Sequence, residues 1–237
     1  MKTVTYFMAI LAAAHAGGGD LSAEAVCAKA EARSAKVEAA PAPEMAVAVR
    51  IYNYAAVHAA PLAAAQAESG RIFTSAGISL AWIDCRVPGG DEGAPCTEPL
   101  LPGRDLMLRL VDRIPAQGKR SVALGESMLD LEQRGGVLMT VDLFPVRAVA
   151  GRAAMSVATL LGRAIAHEIG HLLLGSAEHP RLGLMRALWS HDELRGRKPA
   201  HWGFSAREAA QMRQTRLRAV SHIASARQAA SSAPTAP

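Results

Sequence analysis

From Val146 to Gly175 the chain reads VRAVAGRAAMSVATLLGRAIAHEIGHLLLG, and this thirty-residue run constrains the fold more than any other part of the 237-residue sequence. Its apolar residues recur at helical spacing and internal glycines are its only strong breakers, so the pattern predicts one long helix. Near its C-terminal end the helix carries His167-Glu168-x-x-His171 among the uncharged neighbours Ala164, Ile165, Ala166, Ile169, Gly170, Leu172 and Leu173. Two surface histidines on an alanine-rich helix would have charged residues three and four positions away. Here only Arg163 and the motif's own Glu168 are charged at those positions and the other neighbours are apolar or small, which places both imidazoles beside a core.

Residues i and i+4 of a helix share a face about 6 Å apart, so His167 and His171 can offer two nitrogens to one metal ion. Glu168, one step round the helix, is poorly placed as a ligand but can reach a water on that ion and take its proton. The spacing therefore encodes a hydrolytic zinc site that lacks one protein ligand.

A continuing helix would carry a residue eight positions beyond His171 about 12 Å along the axis, out of reach of the same ion. Gly175 can instead end the helix in a left-handed conformation, and Pro180 biases His179 away from helix, so a reversal can bring His179 to the metal. Carboxylates from later in the chain remain alternatives. Glu208 also suits a capping box with Ser205, and Glu193 lies in the loop-like SHDELRGRK. His191 and His201 are further alternatives, with a solvated or structural role as the default for each.

HEIGHLLLGSAEH followed by LGLMRALW resembles the zinc helix and methionine turn of metzincin metallopeptidases, especially exported bacterial proteins with HEIGHLLLG and a Gly-Leu/Ile-Met-Arg segment. The resemblance covers roughly residues 160–189. It implies zinc held by His167, His171 and His179, Glu168 as general base, Met185 on a turn beneath the ion, and a peptide or protein substrate. The spacing departs from the family pattern HExxHxxGxxH by one extra residue on each side of Gly175. The expected fold is α+β and metzincin-like: a small twisted mixed sheet, the long zinc-binding helix and a C-terminal helix. Arg186 is a candidate for stabilising an oxyanion. The competing functional reading is a non-catalytic extracellular zinc-binding or interaction module that retains the helix.

Upstream, residues 45–57 alternate apolar and polar side chains as a half-buried strand does, a helix opens near Pro61 and stops near Gly77, and ISLAWIDC follows as a strand. DLMLRLVDR and VLMTVDLF read as two more strands. Ser205 and Glu208 open the last helix.

The N-terminus has a lysine at position 2, an apolar stretch and Ala14-His15-Ala16, which reads as a signal peptide over 1–16. A partly disordered spacer is expected over 17–44, the zinc domain over 45–228 and a disordered tail over 229–237. A secreted or periplasmic protein follows from this, with no stable membrane insertion after cleavage, since 153–174 is interrupted by charged and histidine side chains. Cys85 and Cys96 flank a proline- and glycine-rich loop and are expected to form a disulfide. Cys27 is left over, free or paired with another chain. The net charge is +5 with a pI near 9.4, but Arg207, Arg213, Arg216, Arg218 and Arg227 are spread round the last helix, which argues for a solvated face and against nucleic acid.

Overall fold

The structure, a computed structural model, describes residues 3–10, 46–85, 96–101, 104–112, 122–130, 132, 135–198 and 201–217. The expected spacer, the tail, Cys27, Arg218 and Arg227 lie outside them. The elements are β1 (Thr3–Ile10), β2 (Ala46–Asn53), α1 (Ala59–Ser75), β3 (Ser79–Cys85), β4 (Asp105–Val111), β5 (Val122–Asp130), β6 (Gly135–Asp142), α2 (Leu143–Ala153), α3 (Val157–Leu174) and α4 (His191–Leu194). A last helix, α5, covers 206–217.

Six strands form one mixed sheet in the order β1-β5-β6-β4-β2-β3. β3, β2, β4 and β6 run parallel, while β5 is antiparallel to β6 and β1 is antiparallel to β5. The strand–helix–strand unit expected from residues 45–85 is β2-α1-β3. Strand alternation sends every second side chain into the core: Val47, Val49 and Ile51 of β2 and Leu106, Leu108 and Leu110 of β4 are fully buried. They join one cluster with Ile72 and Phe73 of α1 and Leu160, Leu161, Ile165 and Ile169 of α3.

The long apolar run is two helices. α2 ends at Ala154, whose left-handed backbone (φ 50°) turns the chain, and α3 restarts at Ser156, whose hydroxyl accepts from the Thr159 N–H. A serine cap competes with helix continuation by offering a first-turn N–H another acceptor, and that local signal outweighs the apolar periodicity. α3 is long and apolar enough by composition to cross a membrane, yet 78% of it is buried inside the protein, so it is the core helix. Its close approach to α1 depends on Gly162, where a Cβ would lie 2.6 Å from the Ala65 carbonyl oxygen. Ser69 donates to the Gly162 carbonyl at 2.7 Å across the same contact.

Cys85 and Cys96 are joined by a disulfide, as expected from the loop they flank. Two findings differ from expectation. Residues 3–10, inside the stretch read as a signal peptide, pair with β5 from Thr3↔Asp130 to Ile10↔Val122. Arg216, expected on a solvated face, is 1% exposed and donates to the Ala46 carbonyl. Arg213 likewise donates to the Ala76 carbonyl, because α5 is docked on the domain by side chains that satisfy carbonyls at element ends.

Candidate metal centre

α3 brings His167 and His171 one turn apart on a face that is 0% and 1% exposed. Their Nε2 atoms are 3.0 Å apart, and the Nε2 of His179 lies 3.2 Å from that of His171. The ligand atoms of all three lie within 4.8 Å of one another. What aims the two helix histidines is the other nitrogen of each ring. His167 Nδ1 is 3.0 Å from the Leu184 carbonyl and His171 Nδ1 is 2.7 Å from the Ser176 carbonyl. A carbonyl oxygen only accepts, so each Nδ1 carries the proton and each Nε2 presents a lone pair.

His179 reaches this point because the helix stops. Gly175 adopts the left-handed conformation (φ 59°) and its N–H donates to the His171 carbonyl, while the Ser176 hydroxyl accepts from the Glu178 N–H in the reversal. One residue more on each side of the glycine therefore still returns the third histidine to the first two. The chain then turns at Gly183 (φ 83°) and buries Met185 completely. Met185 packs against Gly170 between the two helix histidines, where a Cβ would lie 2.5 Å from its Sδ and 2.9 Å from Phe204. The Leu184 carbonyl accepts from both His167 and the Trp189 indole, so the turn holds the first histidine directly.

Burial sets the charge state of the site. Loss of water holds His167 well below its ordinary pKa, with the neighbouring His171 adding to the effect, and pushes His171 down to about 4. His179, half-buried, is lowered for the same reason. All three are neutral at physiological pH, the form that ligates a metal.

Glu168 points away from solvent at 1% exposure and meets β5. Its Oε2 is 2.6 Å from the Ser127 hydroxyl, which also lies 3.0 Å from the Glu168 main-chain carbonyl. Gly125, two residues earlier on the same strand, leaves room for the side chain: a Cβ there would lie 2.9 Å from Glu168 Cγ and Oε1. Burial raises the Glu168 pKa to about 8; the Ser127 hydrogen bond opposes the rise and the charge of Glu126 adds to it.

No family model matches the chain, and no curated protein matches it. Among solved structures the chain is similar to the crystal structure of archaemetzincin from Methanopyrus kandleri, at 16% identity and a TM-score of 0.46, over 71% of this chain and 94% of that one.

The alternative ligands are engaged elsewhere. Glu208 closes the capping box with Ser205, accepting from its N–H at 2.7 Å. Glu193 does the same with Ser190 at the start of α4 and pairs with Arg186. His191 and His201 do not join the histidine group. Arg186 braces the turn: its Nε donates to the Gly183 carbonyl and its Nη1 to Glu193, while its buried Nη2 has no hydrogen-bond partner.

Gly125 and Ser127 were not visible as site residues in the sequence. VALGESMLD lacks a sustained period-two pattern, and its pairing with β6 shifts register between Met128 and Asp130. The one available signal is the pair of small residues two apart, which only the docking of α3 makes meaningful.

Proposed function

We propose that this chain is an exported zinc metallopeptidase in which His167, His171 and His179 hold the ion and Glu168 is the general base. The observation that carries the reading is the convergence of three neutral imidazole Nε2 atoms, two of them aimed by carbonyls on the opposite ring nitrogen. Three nitrogen ligands with no fourth His, Cys, Asp or Glu among the described residues suit zinc with a position left open for chemistry. Bound zinc would supply Lewis acidity, polarising a peptide carbonyl and making a water acidic enough to lose a proton near neutral pH.

The protein's own groups do the rest. Glu168 accepts the proton of the attacking water and delivers it to the departing amine nitrogen. Met185, packed under Gly170, serves as the floor of the site implied by the metzincin resemblance. The Cys85–Cys96 disulfide supports an oxidising compartment, in keeping with export.

Two measurements test this. Metal analysis of the purified protein should find one zinc per chain, lost in His167→Ala and His179→Ala and kept in Glu208→Ala; full zinc content in His179→Ala would remove that ligand. Incubation with a mixed peptide library should give cleavage that Glu168→Ala abolishes. Equal cleavage by both proteins would rule out Glu168 as base. No cleavage by either, with zinc retained, would favour a non-catalytic zinc module.

A further inference from the structure

Glu168 is held by a strand distant from it in sequence. Alternate residues of a strand share a face, so Gly125 and Ser127 present one notch to α3, in which the glycine supplies space and the serine a hydroxyl. Ser127 is fully buried and its hydroxyl lies within hydrogen-bond distance of two oxygens of one residue, the carboxylate Oε2 at 2.6 Å and the main-chain carbonyl at 3.0 Å. A glutamate side chain has several rotatable bonds, and one left free in a pocket would sample several orientations. Here Oε2 is anchored, while the buried Oε1 has no hydrogen-bond partner.

We propose that Ser127 is the positioning residue for Glu168: its hydroxyl pins Oε2, fixes the carboxylate in one orientation, and leaves Oε1 as the oxygen that takes the proton. This rests on the reading of Glu168 as general base. The hydrogen bonds of the Ser127 hydroxyl go to Glu168 and to no histidine of the metal centre, so its contribution runs through the carboxylate. Hydroxyl removal should therefore leave metal binding intact while lowering the rate of the chemical step.

The test uses the full chain with zinc bound, as wild type, Ser127→Ala, Glu168→Ala and the double variant, with Ser127→Cys as a milder replacement. Removing such a supporting partner costs about 10- to 100-fold; we expect that loss in kcat for Ser127→Ala, with KM and zinc content unchanged. Ser127→Cys, which keeps a weak donor, should fall between. The double variant should be no slower than Glu168→Ala, because a residue acting through Glu168 has nothing left to position. A further loss in the double variant, or full activity in Ser127→Ala beside a dead Glu168→Ala, would overturn the role of Ser127. Full activity in Glu168→Ala would instead overturn the general-base reading. A crystal structure of Ser127→Ala gives a readout independent of turnover. Glu168 should leave its single orientation while His167, His171 and His179 stay in place, and an unmoved Glu168 would refute the proposal.

Discussion

His167 and His171 bring their Nε2 atoms to 3.0 Å from one another, while their Nδ1 atoms are held apart by the carbonyls of Leu184 and Ser176. With both Nδ1 atoms protonated, two lone pairs face each other in a buried space. That arrangement is unfavourable in itself, and a cation between them relieves it.

Metal should therefore stabilise the fold. A ligand bound only by the native state adds about 4 kcal/mol at a free concentration a thousand times its dissociation constant. Chelation followed by zinc addition should lower and then restore the thermal midpoint of the wild type, and should leave His171→Ala unaffected. A midpoint indifferent to chelator would show that the three histidines hold no ion.

The metal-free protein should have a stability maximum near pH 6.5. His171 titrates at about 4 when folded and near 6.5 when unfolded, so below 6.5 the unfolded chain takes up the proton first and stability falls on acidification. Glu168 has the opposite sign: its folded value is about 8 against 4.5 unfolded, so stability falls as the pH rises between the two. From 4.5 to 6.5 these effects oppose one another, and His167, held well down by burial, tips the balance toward loss in acid. Above 6.5 Glu168 acts alone, at a cost of about 2 kcal/mol by pH 8. Melting curves of chelator-treated protein from pH 5 to 9 check this, and Glu168→Gln should remove the alkaline limb.

Gly170→Ala should damage the centre without touching a ligand. The new methyl would sit 2.5 Å from Met185 Sδ, and overpacking of this kind costs about 1–3 kcal/mol. Urea unfolding should show that loss, with weaker zinc retention, because Met185 lies beside Leu184, whose carbonyl orients His167. Wild-type stability in this variant would mean that the methionine turn yields freely.

Breaking the disulfide should destabilise the sheet edge and spare the site. The Cys85–Cys96 bond closes a separation of 11 residues, and Cys85→Ser with Cys96→Ser should cost about 2–4 kcal/mol. The bridge ends β3, on the far side of the sheet from β5, so zinc content of the folded variant should equal that of the wild type.

Export bears on β1. Cleavage after Ala16 would remove residues 3–10 and leave β5 as the sheet edge. N-terminal sequencing of the protein recovered outside the cytoplasm should start at Gly17; a start at Met1 would keep β1 in the working protein and remove the signal-peptide reading.

The histidine pair, the glutamate between them, the stop at Gly175 and the Cys85–Cys96 pairing were legible in the sequence, because each rests on a local rule: helical period, a left-handed cap, a short loop between cysteines. The four strands of the parallel part followed from alternation, and the cap of α5 from Ser205 and Glu208. The break between α2 and α3 was hidden, since Ser156 interrupts a pattern that is apolar on both sides. What only the tertiary structure decided is the far side of the site. The return of His179 and the Ser176 carbonyl that aims His171 depend on the path of the reversal, while the Leu184 carbonyl at His167, the burial of Arg216 and the notch of Gly125 and Ser127 around Glu168 join residues distant in the chain. Such contacts follow from how α3 docks on the sheet, and one sequence carries local preferences plainly while packing between elements leaves no periodic mark on it.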